Sequence, residues 1–239
     1  LAPLELHATT IVRNVDVAVM RAYFPPALPV QPERGVVNAS VQIDHDDARG
    51  TNLDVDATLS GIELHRAGHI VTAPAFHVVA DDIALHRDVV TVGAVTARGD
   101  RVTLEERTVT PARRWVMQNV VVDAKGLSSR ATDTQGVATL QAAVGGATVA
   151  AWVTQLRLDP LQFHLTTSLR GFDLTLVDAY LPPEALVDLT GGVVNAAVEV
   201  HHTAADGTAV TGDATLTGME ARGQWALSTL RASAPSLRV

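Results

Sequence analysis

Residues 1–63 and 158–220 are two copies of one sequence, related by a constant shift of 157 with 29 identities in 63 ungapped positions. A chain of this biased composition gives about five such identities by chance, so the copies are real. Leu1, Pro3, Leu4 and His7 answer Leu158, Pro160, Leu161 and His164. Tyr23-Phe24-Pro25-Pro26 answers Tyr180-Leu181-Pro182-Pro183, and Gly35-Val36-Val37-Asn38-Ala39 answers Gly192-Val193-Val194-Asn195-Ala196. Asp56-Ala57-Thr58-Leu59 answers Asp213-Ala214-Thr215-Leu216. Because the spacing survives a Pro-Pro corner and two turns, the repeat is a structural unit of fixed register. Residues 1–157 form the first unit and 158–239 a second, shorter one, together making one continuous structure that implies a longer stack in the parent protein.

Each unit is written in strands. Valine and threonine fill 59 of 239 positions, a β-forming composition punctuated by Gly and Pro. Phe163, Leu165, Thr167 and Leu169 alternate with His164, Thr166, Ser168 and Arg170; Val37, Ala39, Val41 and Ile43 alternate with Asn38, Ser40, Gln42 and Asp44. The second copy repeats the latter as Val194, Ala196, Val198 and Val200. Period two with one wet side means sheets with an apolar and a polar face. Partner strands through Val55-Ala57-Leu59 and Val210 to Leu216 follow turns near Asp44 to Gly50 and at Ala205-Asp206-Gly207, as antiparallel hairpins require. Alternation breaks after Asp16 and Asp173, where Val19, Met20, Tyr23, Phe24 and Leu176, Val177, Tyr180, Leu181 take helical spacing. With Asp as N-cap and Pro-Pro as stop, this predicts a helix of about two turns laid on the sheet. Further strands are expected near 75–79, 89–97, 101–110, 115–123 and 147–158, with 126–133 as a polar loop. The fold class is mainly β: an elongated, curved antiparallel sheet from tandem repeats, forming an open groove or incomplete barrel, with short helices.

Composition excludes several functions. Net charge is −8 and aromatics are 4%, so neither a cationic surface for nucleic acid or anionic membranes nor a base-stacking platform exists. Cysteine is absent, which removes disulfides and thiolate metal sites. No apolar run approaches the ~18–20 residues of a membrane helix. His201 and His202 are adjacent on a strand and point to opposite faces, while Asp44-His45-Asp46-Asp47 lacks the ligand spacing of a calcium loop and is not kept in the second copy. Ser128-Ser129 has no nucleophile context, no Ser/His/Asp order recurs in both copies, and neither Asp81-Asp82 nor Glu105-Glu106 has a counterpart in the other unit. Gly145-Gly146 leads no phosphate-cradling helix and reads as a turn. The sequence therefore nominates no enzyme, catalytic residue, cofactor or metal.

What remains is the apolar face. One short helix per unit cannot cover several strands, so either the sheet folds on itself into a sealed sandwich or an apolar trough stays open. Ala39, Ala57, Ala196 and Ala214 leave volume that bulky core residues would fill. The groove-lining candidates are Val37, Ala39, Val41, Ile43, Val55, Ala57, Leu59, Phe163, Leu165, Val194, Ala196, Val198 and Val200.

The order Leu-x-Pro-Leu, a strand, Asp-Leu-x-x-Val-x-x-Tyr-Leu-Pro, Gly-Gly-Val-Val and Gly-Asp-Ala-Thr-Leu at 158–216, echoed at 1–59, resembles the AsmA-like proteins of diderm bacterial envelopes, particularly their uncharacterised large branch. The likeness extends over nearly the whole chain, including Asp82 to Leu104, which is similar to that family's inter-repeat strand pair. It implies a repeating β-groove with an apolar channel, attached to the inner membrane by an anchor outside this segment and reaching through the periplasm to the outer membrane or its proteins. It also implies phospholipid acyl chains as the cargo, no nucleic acid, and no catalytic residues. The rival expectation is a structural envelope scaffold or adhesin-like β repeat whose apolar faces are sealed as core.

Overall fold

The computed structural model describes residues 5–19, 31–48, 50–86, 89–108, 112–129, 135–158, 160–180, 188–222 and 226–238. Twelve strands follow in order: β1 (Glu5–Asp16), β2 (Gln31–Asp46), β3 (Gly50–Arg66), β4 (His69–His86), β5 (Val89–Glu106), β6 (Arg113–Ser128), β7 (Gly136–Val144), β8 (Ala147–Leu158), β9 (Leu161–Asp173), β10 (Asp188–Thr203), β11 (Gly207–Arg222) and β12 (Ala226–Arg238). Every strand pairs antiparallel with its neighbours in sequence, giving one sheet of order β1 to β12. The edges β1 and β12 do not pair with each other, so the sheet is open.

The repeat is a shift of eight strands, since β1–β3 correspond to β9–β11, and it extends to individual hydrogen bonds. The Asn14 amide donates to Asn38 Oδ1 at 3.0 Å, and at the equivalent place the Gly171 amide donates to Asn195 Oδ1 at 2.9 Å. Asp16 Oδ1 accepts from the Ala18 amide, as Asp173 Oδ1 does from the Thr175 amide, both at 2.9 Å. Gly35 and Gly192 occupy φ of 146° and 137°. A Cβ there would meet Ile62 and Val17 in the first unit and Met219 and Leu174, their counterparts, in the second.

Strands of up to 18 residues keep one face apolar by a recurrent device. At eight places two polar or small residues, instead of one, separate apolar neighbours, and the second of the two has positive φ: Asn14, Gly61, Asp82, Asn119, Gly126, Gln155, Gly171 and Gly218. Each makes a bulge that skips one residue of the alternation. Val12 and Val15 therefore face Ala39 and Val37, Ala80 and Ile83 face Val55 and Leu53, and Leu169 and Phe172 face Ala196 and Val194. Without the skip, every residue beyond each bulge would turn its polar side inward.

Three sequence expectations change. The segments after Asp16 and Asp173 are not α-helical: residues 17–19 and Leu174–Tyr180 are 310, with the Asp capping bonds tightening the first turn, and residues 20–30 and 181–187 lie outside the described residues. The strands expected at 89–97 and 101–110 are one strand, β5, because Gly99 is not a turn; the Phe76 ring lies over it, and a Cβ there would stand 2.5 Å from the ring. Residues 126–128 of the expected loop belong to β6 and residues 130–133 lie outside the described residues, while β7 is not among the expected strands.

The bulges carry a clean prediction. A Cβ on Gly61 would touch nothing within 4 Å, so Gly61→Ala costs only the left-handed backbone penalty, about 1–2 kcal/mol. Gln155, at φ 55°, already bears that penalty, so Gln155→Gly stabilises by up to about 1 kcal/mol. Urea denaturation of the two variants shows opposite shifts in midpoint; shifts of the same sign contradict the bulge assignment.

Candidate functional site

Directly opposed residues in an antiparallel ladder share a face, so the register maps the apolar side. One row of it crosses the whole sheet. From Thr10 it passes through Val41, Val55, Ala80, Val95 and Ala124, then through Ala138, Val153, Leu165, Val200 and Val210 to Leu237. Only its first member is polar. A parallel row runs from Val12 through Ala39, Ala57, Val78, Ala97, Val122, Leu140 and Ala151 to Thr167, Val198 and Gly212. At ~4.8 Å per strand, eleven intervals make a strip about 53 Å long.

All thirteen candidates fall on this face. Val37, Ala39 and Val41 oppose Leu59, Ala57 and Val55, and Ile43 opposes Leu53. Val194, Ala196, Val198 and Val200 oppose Phe172, Leu169, Thr167 and Leu165, and Phe163 opposes His202. Sequence reasoning missed the middle of the strip on β4–β8, including Val78, Ala80, Val95, Val122 and Leu140, because the repeat it relied on does not extend there.

The face is concave. Trp115 on β6 and Phe172 on β9 are three strands apart, about 14 Å in a flat sheet. Their ring centroids nevertheless lie 6.2 Å apart, meeting past the Gly145-Gly146 tip of the short β7–β8 hairpin. Leu176 packs on the same tip, where a Cβ on Gly145 would stand 2.2 Å from it. Burial is greatest along this wall of the trough, in a cluster of Val17, Ile62, Ala73, Val102, Val120 and Ala142 with Phe76 and Met117 against it.

The rest of the trough is not sealed. Total accessible surface is 15349 Å², whereas a compact protein of 25.2 kDa exposes about 10,300 Å². Among the described residues no large side chain is fully buried, and six of the eleven buried apolar residues are alanines. Val198 in the second row is 36% exposed. A closed sandwich of this size would bury many large side chains outright.

Polar contacts belong to the outer face and the strand ends. His77 Nε2 and Asp56 Oδ1 are 2.8 Å apart, and the Thr96 hydroxyl donates to Asp123 at 2.7 Å. Across β2 and β3, Arg34 Nε donates to Glu63 at 3.1 Å while His65 lies 2.7 Å from its other oxygen. Arg34 first and His65 second hold the Glu63 carboxyl below its ordinary range, and hydrogen bonds from Thr175 do the same for Asp173. The Arg107 guanidinium is pushed up by its bond to Glu105. Among the described residues no three His, Asp or Glu gather around a metal-sized site, and no helix is long and apolar enough to cross a membrane. His201 and His202 do point to opposite faces, His201 edge-on to His164 and His202 stacked on Phe163. Comparison with protein-family models, curated proteins and solved structures finds no match for the chain.

Two substitutions separate an open trough from a sealed core. Val198→Asp places its charge beside solvent and costs less than about 1.5 kcal/mol, whereas Val102→Asp, at 8% exposure in the cluster, costs about 3 kcal/mol or more. Urea midpoints measure both; equal losses contradict an open trough.

Proposed function

We propose that this chain is a section of a lipid-holding or lipid-conducting groove of the AsmA-like kind, periplasmic and attached to the inner membrane in the full-length protein. The observation that carries the reading is the row of apolar residues running from Val41 on β2 to Val210 on β11 on the concave side of an open sheet. An acyl chain lying along such a strip forfeits no hydrogen bonds, and its burial is worth about 0.8 kcal/mol per methylene. Shape and apolarity suffice for such cargo, consistent with a face built from Val, Ala and Leu without a polar cluster in its floor. Phospholipid is the cargo this reading assigns, with the outer membrane or its proteins at the far end.

The sealed scaffold or adhesin requires a second layer over the trough, and among the described residues only residues 17–19 and Leu174–Tyr180 lie against its wall. The accessible surface favours the groove. A carbohydrate-active enzyme would need a facing pair of carboxylates about 5–10 Å apart. Among the described residues the two rows of the trough hold no Asp or Glu that could form such a pair.

Photo-crosslinking amino acids at Val41 and Val198, on the trough side, and at Gln42 and Glu199, on the outer side, test the reading in living cells. The groove predicts phospholipid adducts at the first pair well above those at the second. Equal labelling at all four positions overturns it.

A further inference from the structure

Inside the sheet one unit meets the next at β8 and β9, and the joint has two parts. The strands pair along their length, with Val149, Ala151 and Val153 opposite Leu169, Thr167 and Leu165. Past the end of β9, the 310 segment lays Leu176 over Gly145 at the tip of the β7–β8 hairpin. The tip suits that contact. Gly145 and Gly146 have φ of 55° and 83°, the left-handed pair that a two-residue hairpin turn needs, and a Cβ on Gly145 would run into the Leu176 side chain.

The receiving half of this joint occurs twice. β1 and residues 17–19 repeat β9 and residues 174–176, so Val19 stands where Leu176 does. In the first unit nothing among the described residues fills the place of the hairpin. Six of the eight residues 5–12 are exposed, whereas none of their counterparts 162–169 is. Val19 is 69% exposed against 40% for Leu176, and Leu6 and Ile11 are bare as well. A free strand edge beside three exposed large apolar side chains is half of an interface.

The other edge of the same chain does not supply the missing half. β12 follows β11 as β4 follows β3, and the outer neighbour of β4 is β5, so a second copy presents no β8-like strand to β1. Leu1-Ala2-Pro3-Leu4 instead matches Leu158-Asp159-Pro160-Leu161, the connection that leads β8 into β9, at three of four residues.

We infer that the free edge of β1, with Val19 beside it, is the docking surface for a β-hairpin of the β7–β8 kind, carried by another unit of the same repeat in the parent polypeptide. The register is that of β8 on β9: counterparts of Val149, Ala151 and Val153 lie opposite Val12, Thr10 and Ala8, and a Gly-Gly tip lies under Val19. Apolar residues then continue the trough face past β1. The joint is independent of what the trough carries.

A second copy of residues 136–157 fused directly ahead of Leu1 tests this, since Leu1 then follows Arg157 as Leu158 does. The control carries the same added residues in shuffled order. Hydrogen exchange of the β1 amides that point away from β2 is expected to slow at least about tenfold in the fusion relative to the control. Val19→Asp is expected to leave the urea midpoint of the unextended chain unchanged and to lower that of the fusion, while Leu176→Asp lowers it in both. β1 amides that exchange as fast in the fusion as in the control overturn the docking surface, and so does a fusion midpoint that Val19→Asp leaves unaltered. Concentration-dependent protection of β1 in the unextended chain, with sedimentation as a dimer or larger, makes a second copy the occupant and overturns the hairpin assignment.

Discussion

The structure depends on keeping one face of a very long sheet apolar. A strand of 16–18 residues is two to three times the usual length. Over that distance twist and bending would carry a strict alternation out of line with its neighbours. Left-handed bulge residues re-phase the strands, so that Val12 and Val15, Leu59 and Ile62, or Val153 and Leu156 remain on one side across a kink. The same bulges bend the strands and make the apolar side concave. Apolar continuity and curvature therefore have one cause, and the trough follows from both.

Stability in such an architecture is distributed. With few large side chains fully buried, the packed cluster along the capped wall and the antiparallel ladders hold the sheet, as in other stacked repeats where each unit contacts its neighbours. The 310 segments after Asp16 and Asp173 recur once per unit and seat Val17 and Leu174 over Gly35 and Gly192. These segments brace one wall without spanning the opening. An open sheet retains two free edges, β1 and β12, and β1 matches β9, which is paired on both sides.

Much of this was legible in the residues. The repeat set the register of β1–β3 and β9–β11, and strict alternation on β2 and β10 placed the trough residues on the right face. The middle of the sheet was less legible for physical reasons. Gly99-Asp100 has turn chemistry, yet the glycine is there to admit the Phe76 ring. Gly136–Val144 is short and carries Thr and Gln beside its alanines, so it reads as polar connection until Leu140 and Ala138 are seen opposite Val122 and Ala124. Helical spacing after Asp173 was real, but the seven-residue segment closes as 310 under its capping bonds. The bulges themselves had a visible signal: an apolar residue, two non-apolar ones with Gly, Asn or Asp second, then an apolar residue. Only Gln155 lacks a residue type that marks it.

The chain contains no cysteine, so single thiols introduced along the row report directly on whether the trough is open. Val95→Cys and Val153→Cys on the apolar side are compared with Gln42→Cys on the outer side, by maleimide labelling of the folded chain. An open trough gives rates within about tenfold of the outer position, because no unfolding precedes reaction. Protection of about a thousandfold or more at Val95 and Val153, relieved only by denaturant, would show a filled interior and contradict the account.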